Sequence, residues 1–193
     1  MMSQAVKQYM ADEGVDDLRN TALSSDNYDE YCESPEAIAS IRNFVTKYLK
    51  VVEECDYDAN NCFAPKYKGW DGSDEQSSGF VDYVDDSRRD YVLADGSIIR
   101  IGYYASGCPI DLFVDINGKK GPNRVGYDLW YMSIFYDGVI DESGVLPEVR
   151  RGEAPGWGTP QGIRQWRFEN DCQRGTYGGC FGHFLENNFK FDY

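Results

Sequence analysis

The chain has 193 residues, 41% of them hydrophobic and 15% aromatic, which is enough for a buried core and too apolar for a disordered chain. Its 19 basic against 33 acidic residues leave a formal charge of −14. That balance excludes the basic footprint of a nucleic-acid binder and disfavours an anionic membrane surface.

In chain order, Met2, Ala5, Val6, Tyr9 and Met10 recur at helical spacing and predict a short helix over residues 1–13. The acidic stretch DEGVDDLRNTALSSDNYDEY reads as loop. Ser34-Pro35-Glu36 then supplies an N-cap, a proline at the first helical position and an early acid. Behind it Ala37, Ile41, Phe44, Val45, Tyr48 and Val52 line one face, predicting an amphipathic helix over residues 35–53. Residues 56–78, rich in Asp, Asn, Gly and Ser, read as loop.

Periodicity then switches to strands. GFVDYV alternates, and DYVLADGSIIRIGYY is a hairpin with Asp95-Gly96 at the turn, where positive φ is needed. PIDLFVDI and YDLWYMSIFYDG read as further strands. From Val139 onward glycine and proline are frequent: RRGEAPGWGTPQG reads as loop, and Phe181, Phe184 and Leu185 mark a short helix. Helices first and strands after predict an α+β class, with N-terminal helices packed on an antiparallel β-sheet of about four strands and disulfide-closed loops. One domain is expected over 1–193, with a helical part at 1–53, the sheet at 79–140 and a loop-rich C-terminal region at 141–193.

Six cysteines stand at 32, 55, 62, 108, 172 and 180, with no CxxC pair and one histidine. Zinc fingers and thioredoxin-like motifs are therefore unsupported. Six cysteines allow 15 pairings. Cys55 to Cys62 and Cys172 to Cys180 are the natural local pairs, which leaves Cys32 and Cys108 as the long-range remainder. Such usage points to an oxidising, extracytoplasmic compartment. The N-terminus MMSQAVKQYMADEG shows neither the basic region nor the apolar run of a signal peptide, so the expectation is a chain whose address lies upstream of Met1.

Catalysis finds little support. A Ser-His-Asp or Cys-His site would have to use His183, which sits between Gly182 and Phe184. Acids are plentiful at Asp82, Asp85, Asp86, Asp90, Asp111 and Asp115, so chance pairs are expected. The chain is read as a non-enzyme. The alternative is a secreted carbohydrate-binding or carbohydrate-cleaving protein, whose mark would be a cleft lined by Trp130, Trp157 or Trp166 with two convergent carboxylates. A cytoplasmic acidic interaction domain is a third reading, which six free thiols would favour.

The stretch DINGKKGPN at 115–123 admits two readings. Asp115 and Asn117 fit the first and third positions of a calcium loop, and Asp128 would close the site if the loop folds back. No Glu stands at the twelfth position. The preferred reading is a tight Asn117-Gly118 turn between strands, with Asp115 and Asn117 capping backbone groups.

The longer stretch VDINGKKGPNRVGYDLWYMSI resembles a signature of bacterial type IV pilin-like and type II secretion pseudopilin-like proteins, with Asp115, Asn117, Gly118, Gly121, Pro122, Asn123, Gly126 and Asp128 matching. YLKVVEEC, VLADGSIIRI and the two-cysteine C-terminal region are similar too, so the matches touch most of residues 35–193. The resemblance implies a helix laid on an antiparallel sheet, a structural subunit without catalysis, and other pilin or pseudopilin subunits as partners. It also implies a membrane attachment only through an N-terminal apolar helix, absent from this chain, for which SQAVKQYMADEG looks like the soluble continuation. Secretion pseudopilins carry a calcium ion in the sheet-to-loop region, so calcium is the one cofactor the resemblance adds.

Overall fold

A computed structural model describes residues 1–23, 34–55, 62–73, 88–103 and 110–190. Helix α1 (Met2–Glu13) buries Ala5, Val6 and Tyr9 and closes at Gly14, whose φ of 68° is the left-handed cap a glycine adopts at little cost. Helix α2 (Pro35–Tyr48) begins as the sequence predicts: the Ser34 side chain accepts from the Ala37 N–H, and Pro35 opens the first turn. Its buried stripe is Ala37, Ile41, Phe44 and Val45. The two helices meet edge-on through Tyr9 and Phe44, ring centroids 5.4 Å apart.

The sheet has six strands in the order β1 (Val51–Glu54), β2 (Arg88–Leu93), β3 (Ile98–Tyr103), β4 (Ile110–Asp115), β5 (Leu129–Ile134) and β6 (Ile140–Asp141). Every neighbouring pair is antiparallel, so each strand lies beside the one before it. The hairpin turn falls at Asp95-Gly96, with Gly96 at φ 87° and the Leu93 N–H bonded to the Ser97 carbonyl.

Strand alternation sorts the sheet into two unlike faces. Tyr91, Ile99, Ile101, Leu112 and Met132 share one. The other carries Asp90, Arg100, Asp111, Phe113, Asp115 and Tyr131, as the cross-strand register requires. Arg100 lies over the Phe63 ring on this charged face, and Tyr67 bonds Asp115 there, so the segment around 62–67 covers it. That leaves the apolar face for α2, which lies against β2 and β3. All six residues of β3 and of β5 are buried, as strands covered on both sides must be.

Three expectations need correction. The helix predicted over 35–53 ends at Tyr48, and Val51–Glu54 is edge strand β1, where Val52 is 64% exposed. Leu49 turns to extended backbone, and pairing with β2 decides the state of the β-branched residues that follow. The sheet has six strands rather than about four, because β1 and the two-residue β6 join it. The C-terminal region is helical as well as looped: α3 (Pro147–Arg150), α4 (Pro160–Asn170) and α5 (Cys180–Glu186) follow the sheet. The strand expected over GFVDYV lies outside the described residues.

Candidate functional site

The loop joining β4 to β5 holds the signature residues, and each has a definable task. Asp115 ends β4 fully buried. Its Oδ2 accepts the Tyr67 hydroxyl at 2.5 Å, and its Oδ1 accepts the Asn117 backbone N–H at 3.1 Å. Gly118 follows at φ 65°, where a Cβ would stand 3.3 Å from both the Gly96 carbonyl oxygen and the Ile98 side chain. The Asn117 amide then reaches across the loop and donates to Asp128 Oδ1 at 2.9 Å, while Asp128 Oδ2 accepts the Arg124 N–H at 3.0 Å.

The far side of the loop is pinned by neighbours. Lys68 exchanges backbone hydrogen bonds with Asn123 and Val125 at 2.8 and 2.9 Å. The Arg124 guanidinium donates to the Trp70 carbonyl and lies 3.9 Å over the Tyr127 ring. Gly126 has φ 77°, and a Cβ there would meet the Trp70 ring at 2.4 Å, so only glycine admits this approach. Gly121-Pro122 is a cis peptide.

Burial raises the Asp115 carboxyl above its usual range, more than the hydrogen bonds from Tyr67, Asn117 and Gly118 lower it. Burial beside Asp115 likewise drives the Tyr67 phenol up. The loop therefore brings Asp115, Asn117 and Asp128 together, as the folding-back of Asp128 requires. All four carboxylate oxygens, however, already accept protein N–H or O–H groups. Calcium needs six to eight oxygens, and the buried side-chain oxygens of this loop that accept no bond are the Oδ1 atoms of Asn117 and Asn123. Among the described residues no group of three or more His, Cys, Asp or Glu is arranged to hold a metal. The donor set as arranged fits a turn better than a cation cage.

Other candidates are placed as follows. His183 stacks on Phe168 with centroids 3.7 Å apart, stands edge-on to Trp70, and bonds Asn187 at 3.0 Å. Asp90 takes a two-pronged bond from Arg100 at 2.7 and 2.8 Å. Asp111 accepts from Arg88 at 2.9 Å and from the Tyr131 hydroxyl at 2.8 Å. These carboxylates are thus spent on cations and hydroxyls of the charged face. Asp82, Asp85 and Asp86 lie outside the described residues. Trp130 is buried against Phe184, with centroids 4.7 Å apart, which removes it from any sugar cleft; Trp157 and Trp166 are exposed.

The disulfides Cys55–Cys62 and Cys172–Cys180 form, with Cα atoms 6.2 and 5.0 Å apart, inside the usual span. Cys32 and Cys108 lie outside the described residues. Sequence reasoning missed Glu142. It is fully buried, and its two carboxylate oxygens accept the N–H groups of Gly179 at 3.1 Å and Gly182 at 2.9 Å, pinning the start of α5. Its partners stand 37 and 40 residues away, so no local pattern could announce them.

Compared with known proteins, the chain matches no family model, no curated protein and no solved structure.

Proposed function

We propose that the chain is the headpiece of a structural subunit of an extracytoplasmic filament, of the type IV pilus or type II secretion pseudopilus kind, without catalysis. The observation that carries this reading is the β4–β5 loop. The signature residues Asp115, Asn117, Gly118, Asn123, Gly126 and Asp128 bond or fit one another and the sheet. A helix over an antiparallel sheet, a disulfide-tied C-terminal region and buried acids committed to internal cations all support it. Rigid surface loops suit a subunit exposed outside the cell, because a disulfide constrains the unfolded chain by about 2–4 kcal/mol.

Among the described residues no helix is long and apolar enough to cross a membrane. Thiol counting on protein taken from its native cells, denatured without reductant, tests the compartment. Two or fewer free thiols are expected, and six would overturn the extracytoplasmic reading.

A further inference from the structure

Asn117-Gly118 is the only Asn-Gly step in the 193 residues. Such a step carries its own chemistry. The backbone nitrogen of the following residue can attack the side-chain carbonyl carbon of the asparagine, and glycine brings no Cβ to hinder the approach. A cyclic imide forms as the new N–C bond replaces the bond to Nδ2. The attacking nitrogen gives up its proton, Nδ2 gains one, and ammonia leaves. Water then opens the ring to an aspartate or to an isoaspartate, whose main chain runs through the side-chain carbon. Water is the only co-reactant, and no electrons change hands.

The closed β4–β5 loop opposes each requirement of the attack. The Gly118 N–H points to the Asp115 carboxylate, which also accepts the Asn117 N–H at 3.1 Å, so the attacking nitrogen is held toward Asp115. The Asn117 Nδ2 donates to Asp128 Oδ1 at 2.9 Å, which fixes the amide across the loop. Attack would also place negative charge on Asn117 Oδ1. That oxygen is buried and accepts no hydrogen bond, so the charge would form without a donor and out of reach of water. The loop nevertheless lies at the surface, with Ile116 51% exposed beside the step, so opening admits the water that hydrolysis needs.

Neither product fits the closed loop. An aspartate at position 117 sets a carboxylate against Asp128 where an amide now donates. An isoaspartate lengthens the main chain by one carbon just before Gly118. A Cβ on Gly118 would already stand 3.3 Å from the Gly96 carbonyl oxygen and the Ile98 side chain, so the turn has little room for added atoms. We propose that Asn117 is a deamidation site gated by the fold: the closed loop protects it, the open loop lets it react, and the product no longer closes. Loss of ammonia here is then a one-way mark on molecules whose β4–β5 loop has opened. The proposal does not depend on the filament reading.

The test incubates the intact protein at mildly alkaline pH, folded and in guanidinium chloride. Mass spectrometry follows the amide-to-acid mass gain in the peptide spanning Asn117 and Gly118. Folded protein should convert roughly tenfold or more slowly, because the loop must first open. Asp128→Ala, where circular dichroism shows it folded, should convert faster than the folded wild type. If that variant does not fold, wild-type protein in denaturant below its unfolding transition replaces it, and its rate should rise with local opening. Converted wild-type protein, returned to native buffer, should unfold at a lower urea midpoint than unconverted protein. Four results would overturn the proposal: equal rates folded and unfolded, no conversion in guanidinium, no acceleration when the loop is loosened, or an unchanged midpoint after conversion.

Discussion

The side-chain amide of Asn117 donates to Asp128 Oδ1 at 2.9 Å, and this bond ties the start of the β4–β5 loop to its end. Asn117→Ala leaves one oxygen of a buried carboxylate without its donor. The expected loss is about 1–3 kcal/mol, read from urea denaturation midpoints. Asn117→Asp sets two carboxylates face to face, so its deficit should shrink as pH falls and either one takes a proton. A deficit independent of pH would show that the two groups do not meet.

Calcium separates the two readings of the same loop. Because the four oxygens of Asp115 and Asp128 already accept protein hydrogens, wild-type protein should show no rise in melting temperature with millimolar calcium. A rise of several degrees, absent in Asp128→Ala, would show that calcium displaces those hydrogens and restore the metal reading.

Arg88 and Asp111 pair across the charged face with Gly102 between them in register: Arg88 opposes Gly102 on β3, and Gly102 opposes Asp111 on β4. The register thus sets a residue without a side chain between the two. Asp111→Ala removes the carboxylate that both Arg88 and the Tyr131 hydroxyl bond, and should cost about 3–5 kcal/mol. Gly102→Val, despite its better strand propensity, should also destabilise by obstructing the pair. A neutral or stabilising result would show that Arg88 reaches Asp111 by another route.

Glu142 gives the clearest pH signature. Burial pushes its carboxyl above the usual glutamate range, and the Gly182 and Gly179 donors and the nearby Arg167 only partly offset this. The folded state therefore holds the proton more tightly than the unfolded one. The resulting stability is fully present below the unfolded value near 4.5 and is lost as pH rises through the folded value. Glu142→Ala should be less stable throughout, because two N–H groups at α5 lose their acceptor, and its stability should fall less over that pH window. Parallel wild-type and variant profiles would contradict the assignment.

How much of this was legible depended on how local each signal was. Ser34-Pro35 announced α2, Asp95-Gly96 announced the hairpin, and close spacing announced both disulfides seen. Thr159-Pro160 carries the same opening as Ser34-Pro35, yet the glycines and prolines before it and Gly162 after it made α4 look like loop. Val52 continued the helical phase of α2, so periodicity could not separate β1 from the helix; only pairing with β2 does. Asp111 and Asp115 share a parity within β4, which marks a charged face, but their partners Arg88 and Tyr67 come from distant segments. The convergence of Asp115, Asn117 and Asp128 was legible, whereas the donors that fill them were not.

Immunogold labelling of intact source cells tests the central claim most directly, using an antibody raised against residues 110–190. The account predicts gold along surface or periplasmic filaments and the chain in the sheared filament fraction. Label confined to the cytoplasm, with the chain absent from sheared material, would contradict it.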